Sequence, residues 1–296
     1  MKLWFPGRFT EAHRKPAQGW ALTYELERLG VEVTANPDRD CDYALCGSIW
    51  LSKMVSRVCR ERGIPCINYN WDLYPWQVEG KAKECLEPEN WGPYVEELKT
   101  CRDIWVPSQC VVERTRQFTG REAVVIKTAV HLWTPEEVWN GGYVVDVIRQ
   151  YPDPNCKAIA DACDALGIQC VETGGDLPLP EFRKLIAGAG LLASGYYEAS
   201  TGGLTLLEGY ALGKPVLLAD SPYNGSVDYF EDRAQYFTWD STEGLMSAII
   251  KALDDKSLPP TSVDYCRQWV EYEYSNAAMA RRMVARLKEL YATDHR

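Results

Sequence analysis

The sequence predicts an α/β protein made of two Rossmann-like units, each a parallel sheet covered on both faces by helices. Three observations carry that prediction. Short apolar runs of strand type alternate with stretches whose apolar residues recur at helical spacing, the pattern of parallel strands joined by helical crossovers. The chain has 296 residues, enough for two domains of ordinary size. Its composition, 46% hydrophobic and 25% charged, supplies apolar side chains for two cores.

Taken in order, KLWF is the first strand, followed by a long loop from Pro6 to Gly19. The helix WALTYELERL comes next, with Leu22, Leu26 and Leu29 on one face and Gly30 as its stop. VEVT, DYALCG, CINYN, DIWVP and EAVVIK follow as strands, with helices at 49–62, 94–101 and 109–118. HLWTPEEVWNGG reads as a linker, so the first unit spans 1–134 and the second 135–296. In the second, YVVDV, IQCVE, GLLAS, PVLLA and AQYFT are the strands, and no internal repeat or low-complexity tract stands out.

Composition excludes several classes. The start, MKLWFPGRFTEAHRK, lacks the apolar stretch of a secretory leader, and no apolar run approaches the roughly 18 residues that span a bilayer, so the expectation is a cytoplasmic protein. The eleven cysteines are scattered and form no C-x-x-C pair, so they read as reduced thiols. Cys156, Cys163 and Cys170 fall seven apart and read as core packing rather than a ligand set. His13, His131 and His295 are too few for a histidine-rich metal site. A net charge of −10 opposes tight nonspecific binding to a polyanion.

The stretch 196–225, YYEASTGGLTLLEGYALGKPVLLADSPYNG, carries the chemistry. LLASG is a buried strand, whereas Leu204, Leu207, Tyr210 and Ala211 recur at helical spacing, which puts Gly202 and Gly203 at a strand-to-helix junction. Backbone N–H groups from Gly202 through Leu204 and Thr205 suit a diphosphate, and Glu198 and Glu208 suit sugar and ribose hydroxyls. An ordinary glycine turn with solvated glutamates fits the same residues when they are read alone.

The segment resembles the donor-binding signature of the retaining nucleotide-sugar glycosyltransferases of GT-B fold. Tyr197-Glu198, Gly203-Leu204, Leu207-Glu208, Ala211 and Gly213-Lys214-Pro215-Val216 match it. Ala199 through Leu207 separate the two glutamates, two residues more than the family has; a bulge keeps Glu198 in place, with Ser200 the other candidate for the first acidic position. Residues 102–130 are similar to the block that closes the family's first domain. GIPCINYNWDLYP is similar to its strand ending in His-Asp-Leu-Tyr-Pro, with Trp71 where histidine is usual, and Tyr274-Ser275 precedes a helix similar to the family's last, which packs back on the first domain.

The resemblance implies two sheets facing across a cleft, donor on the second unit and acceptor on the first, and a metal-independent hexosyltransferase without cofactor that takes a nucleoside-diphosphate sugar. It places Arg149 and Lys157 on the diphosphate and implies that the leaving phosphate takes the acceptor proton. Thr173 opens the turn TGGD, which borders the base or is simply a tight turn. Asp72 orients or deprotonates the acceptor hydroxyl, or else caps its own loop. On the acceptor side stand Arg8, Arg14, Lys15, Gly19 and Trp71, and the helix 49–62 adds Lys53, Arg57 and Arg60 on one stripe. Those cations suit a polyanionic acceptor, nucleic acid or anionic lipid, or else a solvated helix face. The other function class is a non-catalytic sugar-nucleotide-binding protein, favoured by Trp71 and the altered glutamate spacing.

Overall fold

The computed structural model describes residues 1–6, 16–38, 40–47, 49–70, 88–147, 157–173, 177–195, 203–221, 224–238, 241–254 and 262–295. The chain divides into one unit formed by Met1–His131 with Glu273–Arg296 and another formed by Leu132–Tyr272.

The first unit runs β1 (Lys2–Trp4), α1 (Pro16–Arg28), β2 (Glu32–Thr34), β3 (Tyr43–Cys46), α2 (Ile49–Arg62), β4 (Cys66–Tyr69), α3 (Pro88–Thr100), β5 (Asp103–Val106), α4 (Gln109–Thr119) and β6 (Val124–Val125). The second runs β7 (Val144–Asp146), α5 (Ala158–Leu166), β8 (Cys170–Glu172), α6 (Leu179–Gly188), β9 (Leu191–Ser194), α7 (Leu204–Tyr210), β10 (Val216–Ala219), α8 (Gly225–Phe230), β11 (Gln235–Phe237), α9 (Thr242–Asp254) and α10 (Val263–Tyr274). The chain then returns to the first unit as α11 (Asn276–Asp294), which Ser275 opens by accepting from the Ala278 amide at 3.2 Å.

Every strand pairing is parallel, in the orders β2-β1-β3-β4-β5-β6 and β11-β10-β9-β7-β8. Strands β3, β4, β5, β9 and β10 are buried at every residue, which is why they read as mainly apolar runs: helices cover both faces. Strand order reverses between β1 and β3 in one sheet and between β7 and β9 in the other, and the crevice for a ligand of such a sheet lies beyond the carboxyl ends at that reversal.

The first core joins Leu3, Leu22, Leu26, Val33, Leu45, Ile67 and Trp105 to Met279, Met283, Leu287 and Leu290 of α11. The Arg286 guanidinium grips Asp103 at 2.8 and 3.0 Å, and the same carboxylate accepts from the Trp105 indole N–H at 2.8 Å. The second core gathers Val144, Ile159, Cys163, Leu191, Leu217, Phe237, Leu245 and Ile249.

Two helices start earlier than the sequence suggests. Helix α1 begins at Pro16, so Gly19 lies within it rather than at the end of a loop, and α3 begins at Pro88 with Pro93 inside it. Proline's fixed φ and missing N–H suit a first helical position, so both helices can begin at one.

Candidate functional site at the carboxyl edge of the second sheet

Strand β7 ends at Asp146 and its neighbour β9 at Ser194; the chain leaving the first reaches α5, and the chain leaving the second reaches α7. Gly203 opens α7, its carbonyl accepting from the amides of Leu206 and Leu207 at 2.7 and 3.3 Å. A Cβ on Gly203 would sit 2.6 Å from Leu206 Cδ1, so a larger residue there would have to displace the Leu206 side chain. Glu208, half-buried, stands one turn into the helix. Its neighbour Gly209 sets α7 directly on β9, because a Cβ there would lie 1.9 Å from Leu192 Cδ1. The first-turn amides of Leu204 and Thr205 have no carbonyl within the helix to bond, as at any helix start.

Of the predicted donor residues, Gly203, Leu204, Thr205 and Glu208 therefore share one turn and helix. Thr173 is buried just after β8, its amide donating to the Asp146 carbonyl at 3.0 Å, and Lys157 is exposed at the head of α5. Glu198, Ser200, Gly202 and Arg149 lie outside the described residues, as do Asp72, Trp71, Arg8, Arg14 and Lys15.

Asp146 escaped the sequence reading, although a carboxylate inside YVVDV is its signature. Its residue is 1% exposed, Oδ1 has no hydrogen-bond partner among the described residues, and burial, with smaller contributions from Cys170 and Glu172, pushes its pKa up to about 8. A neutral acid thus stands at the strand reversal near pH 7. Lys214, within the stretch Gly213-Lys214-Pro215-Val216, is a structural residue: it is buried before β10 and donates to the Trp139 carbonyl at 2.5 Å, and burial lowers its pKa to about 8.

In the first unit, a buried polar set lies at the carboxyl end of β4. The Tyr94 hydroxyl reaches Asn68 Oδ1 at 3.1 Å and Asn70 Oδ1 at 3.0 Å, while the Asn70 side-chain amide donates to Thr115 Oγ1 at 3.4 Å and its backbone N–H to the Trp105 carbonyl at 2.7 Å. These contacts hold the strand end from which the chain enters Trp71-Asp72. On α2, Lys53, Arg57 and Arg60 are exposed beside Met54, with Arg57 4.0 Å from Glu61.

Among the described residues no helix is long and apolar enough to cross a membrane, and no group of three or more His, Cys, Asp and Glu is placed to hold a metal ion.

No protein-family profile and no curated protein sequence matches the chain. Solved structures do. The chain is similar to HepE from Anabaena in complex with UDP and glucose, at 14% identity and TM-score 0.70, over 98% of this chain and 100% of that one. It is similar to a glycosyltransferase from Rickettsia africae at 14% identity and TM-score 0.58, over 98% of each chain. It is also similar to sucrose-phosphate synthase from Thermosynechococcus elongatus at 13% identity and TM-score 0.64, over 93% of this chain and 78% of that one. The shared architecture is the GT-B fold of paired Rossmann-like units.

Proposed function

We propose that the chain is a cytoplasmic glycosyltransferase that moves a sugar from a nucleoside-diphosphate sugar to an acceptor hydroxyl, with retention and without a metal. The observation that carries the reading is the likeness, over nearly the whole length of both chains, to HepE solved with UDP and glucose and with UDP-glucose. The carboxyl edge of β7 and β9, where Gly203, Glu208, Thr173 and Lys157 cluster in the topology, supports placing the donor on the second unit.

In the proposed reaction the bond from the anomeric carbon to the diphosphate breaks, the bond to the acceptor oxygen forms on the same face, and the acceptor proton passes to the leaving phosphate. Negative charge builds on the diphosphate, so Lys157, Arg149 and the amides at 204 and 205 act where charge develops. Glu208 orients ribose hydroxyls; Glu198 orients the sugar, and Asp72 the acceptor. Lys53, Arg57 and Arg60 support an acceptor that carries phosphate, the chemistry shared by nucleic acid and anionic lipid.

A panel of UDP-, GDP-, ADP- and dTDP-sugars, screened by thermal shift and followed by mass analysis of products, tests the reading. Slow donor hydrolysis or transfer with at least one sugar is expected. Saturable binding with neither would favour a non-catalytic sugar-nucleotide-binding protein instead.

A further inference from the structure

Two segments of the chain share one pattern, CRERGIPC at 59–66 and CDALGIQC at 163–170, each running from the last turn of a helix through a glycine into a parallel strand. Gly63 and Gly167 adopt φ of 73° and 68°, conformations that suit glycine, and the next amide donates back across the turn: Ile64 to the Cys59 carbonyl and Ile168 to the Cys163 carbonyl, both at 2.9 Å. Such a corner folds the strand back over the helix end, so that residues seven apart face each other. The apolar version of the corner shows it directly: after α1 the Val31 amide donates to the Leu26 carbonyl at 3.1 Å, and Leu26 and Val33 meet in one buried cluster. With cysteine at both places the corner sets two sulfurs side by side. Cys163 lies in the second unit's core and Cys170 packs against that core, its thiol donating a hydrogen bond to the Cys163 sulfur. The two corners differ in access: Cys59 and Cys66 are both buried, whereas Cys170 on edge strand β8 is partly exposed.

We propose that Cys163 and Cys170 are a thiol-redox modification site, closing reversibly to a disulfide when a small peroxide reaches Cys170. The site is independent of the nucleotide-sugar reading. The hydrogen bond between the sulfurs holds the Cys163 thiol below its usual range and raises that of Cys170, so a deprotonated pair carries its charge first on Cys163; the Cys170 proton then crosses that bond to Cys163 and leaves the partly exposed Cys170 as the attacking thiolate. That thiolate attacks one peroxide oxygen; the O–O bond breaks, hydroxide leaves, and Cys170 becomes a sulfenic acid. Cys163 sulfur then attacks the Cys170 sulfur, the S–O bond breaks, and the departing hydroxide takes the thiol proton as water. Two thiols are oxidised by two electrons and one peroxide is reduced to two waters, counting the proton the pair had released. A thiol reductant reverses the change.

The test treats the full-length protein with hydrogen peroxide, blocks remaining thiols with iodoacetamide under denaturing conditions, and cleaves after Lys and Arg. Both cysteines fall in one peptide, residues 158–183. The expected peptide carries no alkyl group, is lighter by two hydrogen atoms, and regains both thiols with dithiothreitol, while Cys59 and Cys66 are alkylated. Cys163→Ser should leave Cys170 as a sulfenic acid trapped by dimedone. Alkylation of Cys163 and Cys170 after the treatment, a link from Cys170 to any other cysteine, or a doubly unalkylated wild-type peptide with no loss of mass overturns the proposal.

Discussion

Glu208 and Asp146 make opposite demands on the same strand edge. Glu208 is half-buried on α7; replacing it with alanine is expected to weaken nucleotide-sugar affinity by about 1–3 kcal/mol, read by titration calorimetry, because a charged acceptor is lost. Unchanged affinity would remove it from the donor site. Asp146 is buried without a partner for Oδ1, and its folded-state pKa of about 8 stands above the ordinary 3.8. The folded protein therefore keeps a proton that the unfolded chain has given up, so the full stability is present below about pH 4 and is lost as the pH climbs to about 8. Cys163 on α5 and Cys170 and Glu172 on β8 surround the carboxyl and add no positive charge. Asp146→Asn should match the parent in thermal unfolding at pH 4 and exceed it by roughly 1–3 kcal/mol at pH 8. A parallel pH dependence in the two proteins would show that Asp146 ionises freely.

The eleven strands among the described residues were legible, most of them as short apolar runs set between stretches of helical periodicity. Helix starts were less legible where proline begins them, as at Pro16 and Pro88. The repeated corner at 59–66 and 163–170 was also passed over: a spacing of seven looks accidental until the glycine between helix and strand folds it into a contact. In the candidate site, Gly203 and Glu208 were visible from their match to a known pattern, whereas Asp146 hid inside a strand and the set Asn68, Asn70, Tyr94 and Thr115 is assembled from distant segments. Lys214 shows the converse, a matching residue whose work is to close off the Trp139 carbonyl. The exposed cations of α2 belong to a different prediction. Changing Lys53, Arg57 and Arg60 together to alanine should lower transfer to a phosphate-bearing acceptor several-fold and flatten its salt dependence, with donor hydrolysis unchanged. Equal transfer rates would make the stripe a solvated face.

Two parallel sheets, each with its own core and its own strand reversal, account for how the chain is laid out. The return of α11 to the first sheet makes that unit discontinuous in sequence, and the Arg286 clamp on Asp103 with the Met279, Met283 and Leu287 face ties the helix into that unit's core. On a molecule of net charge −10, Lys157 in one unit and Lys53, Arg57 and Arg60 of α2 in the other are exposed cations beside which a phosphate meets less repulsion. The most direct measurement is a crystal structure with the tightest-binding nucleotide-sugar of the panel. The diphosphate should lie at the carboxyl ends of β7 and β9, within hydrogen-bond reach of the Leu204 and Thr205 amides and of Lys157, with Glu208 on the ribose. A ligand bound elsewhere in the molecule, with that edge closed by protein, would contradict the account.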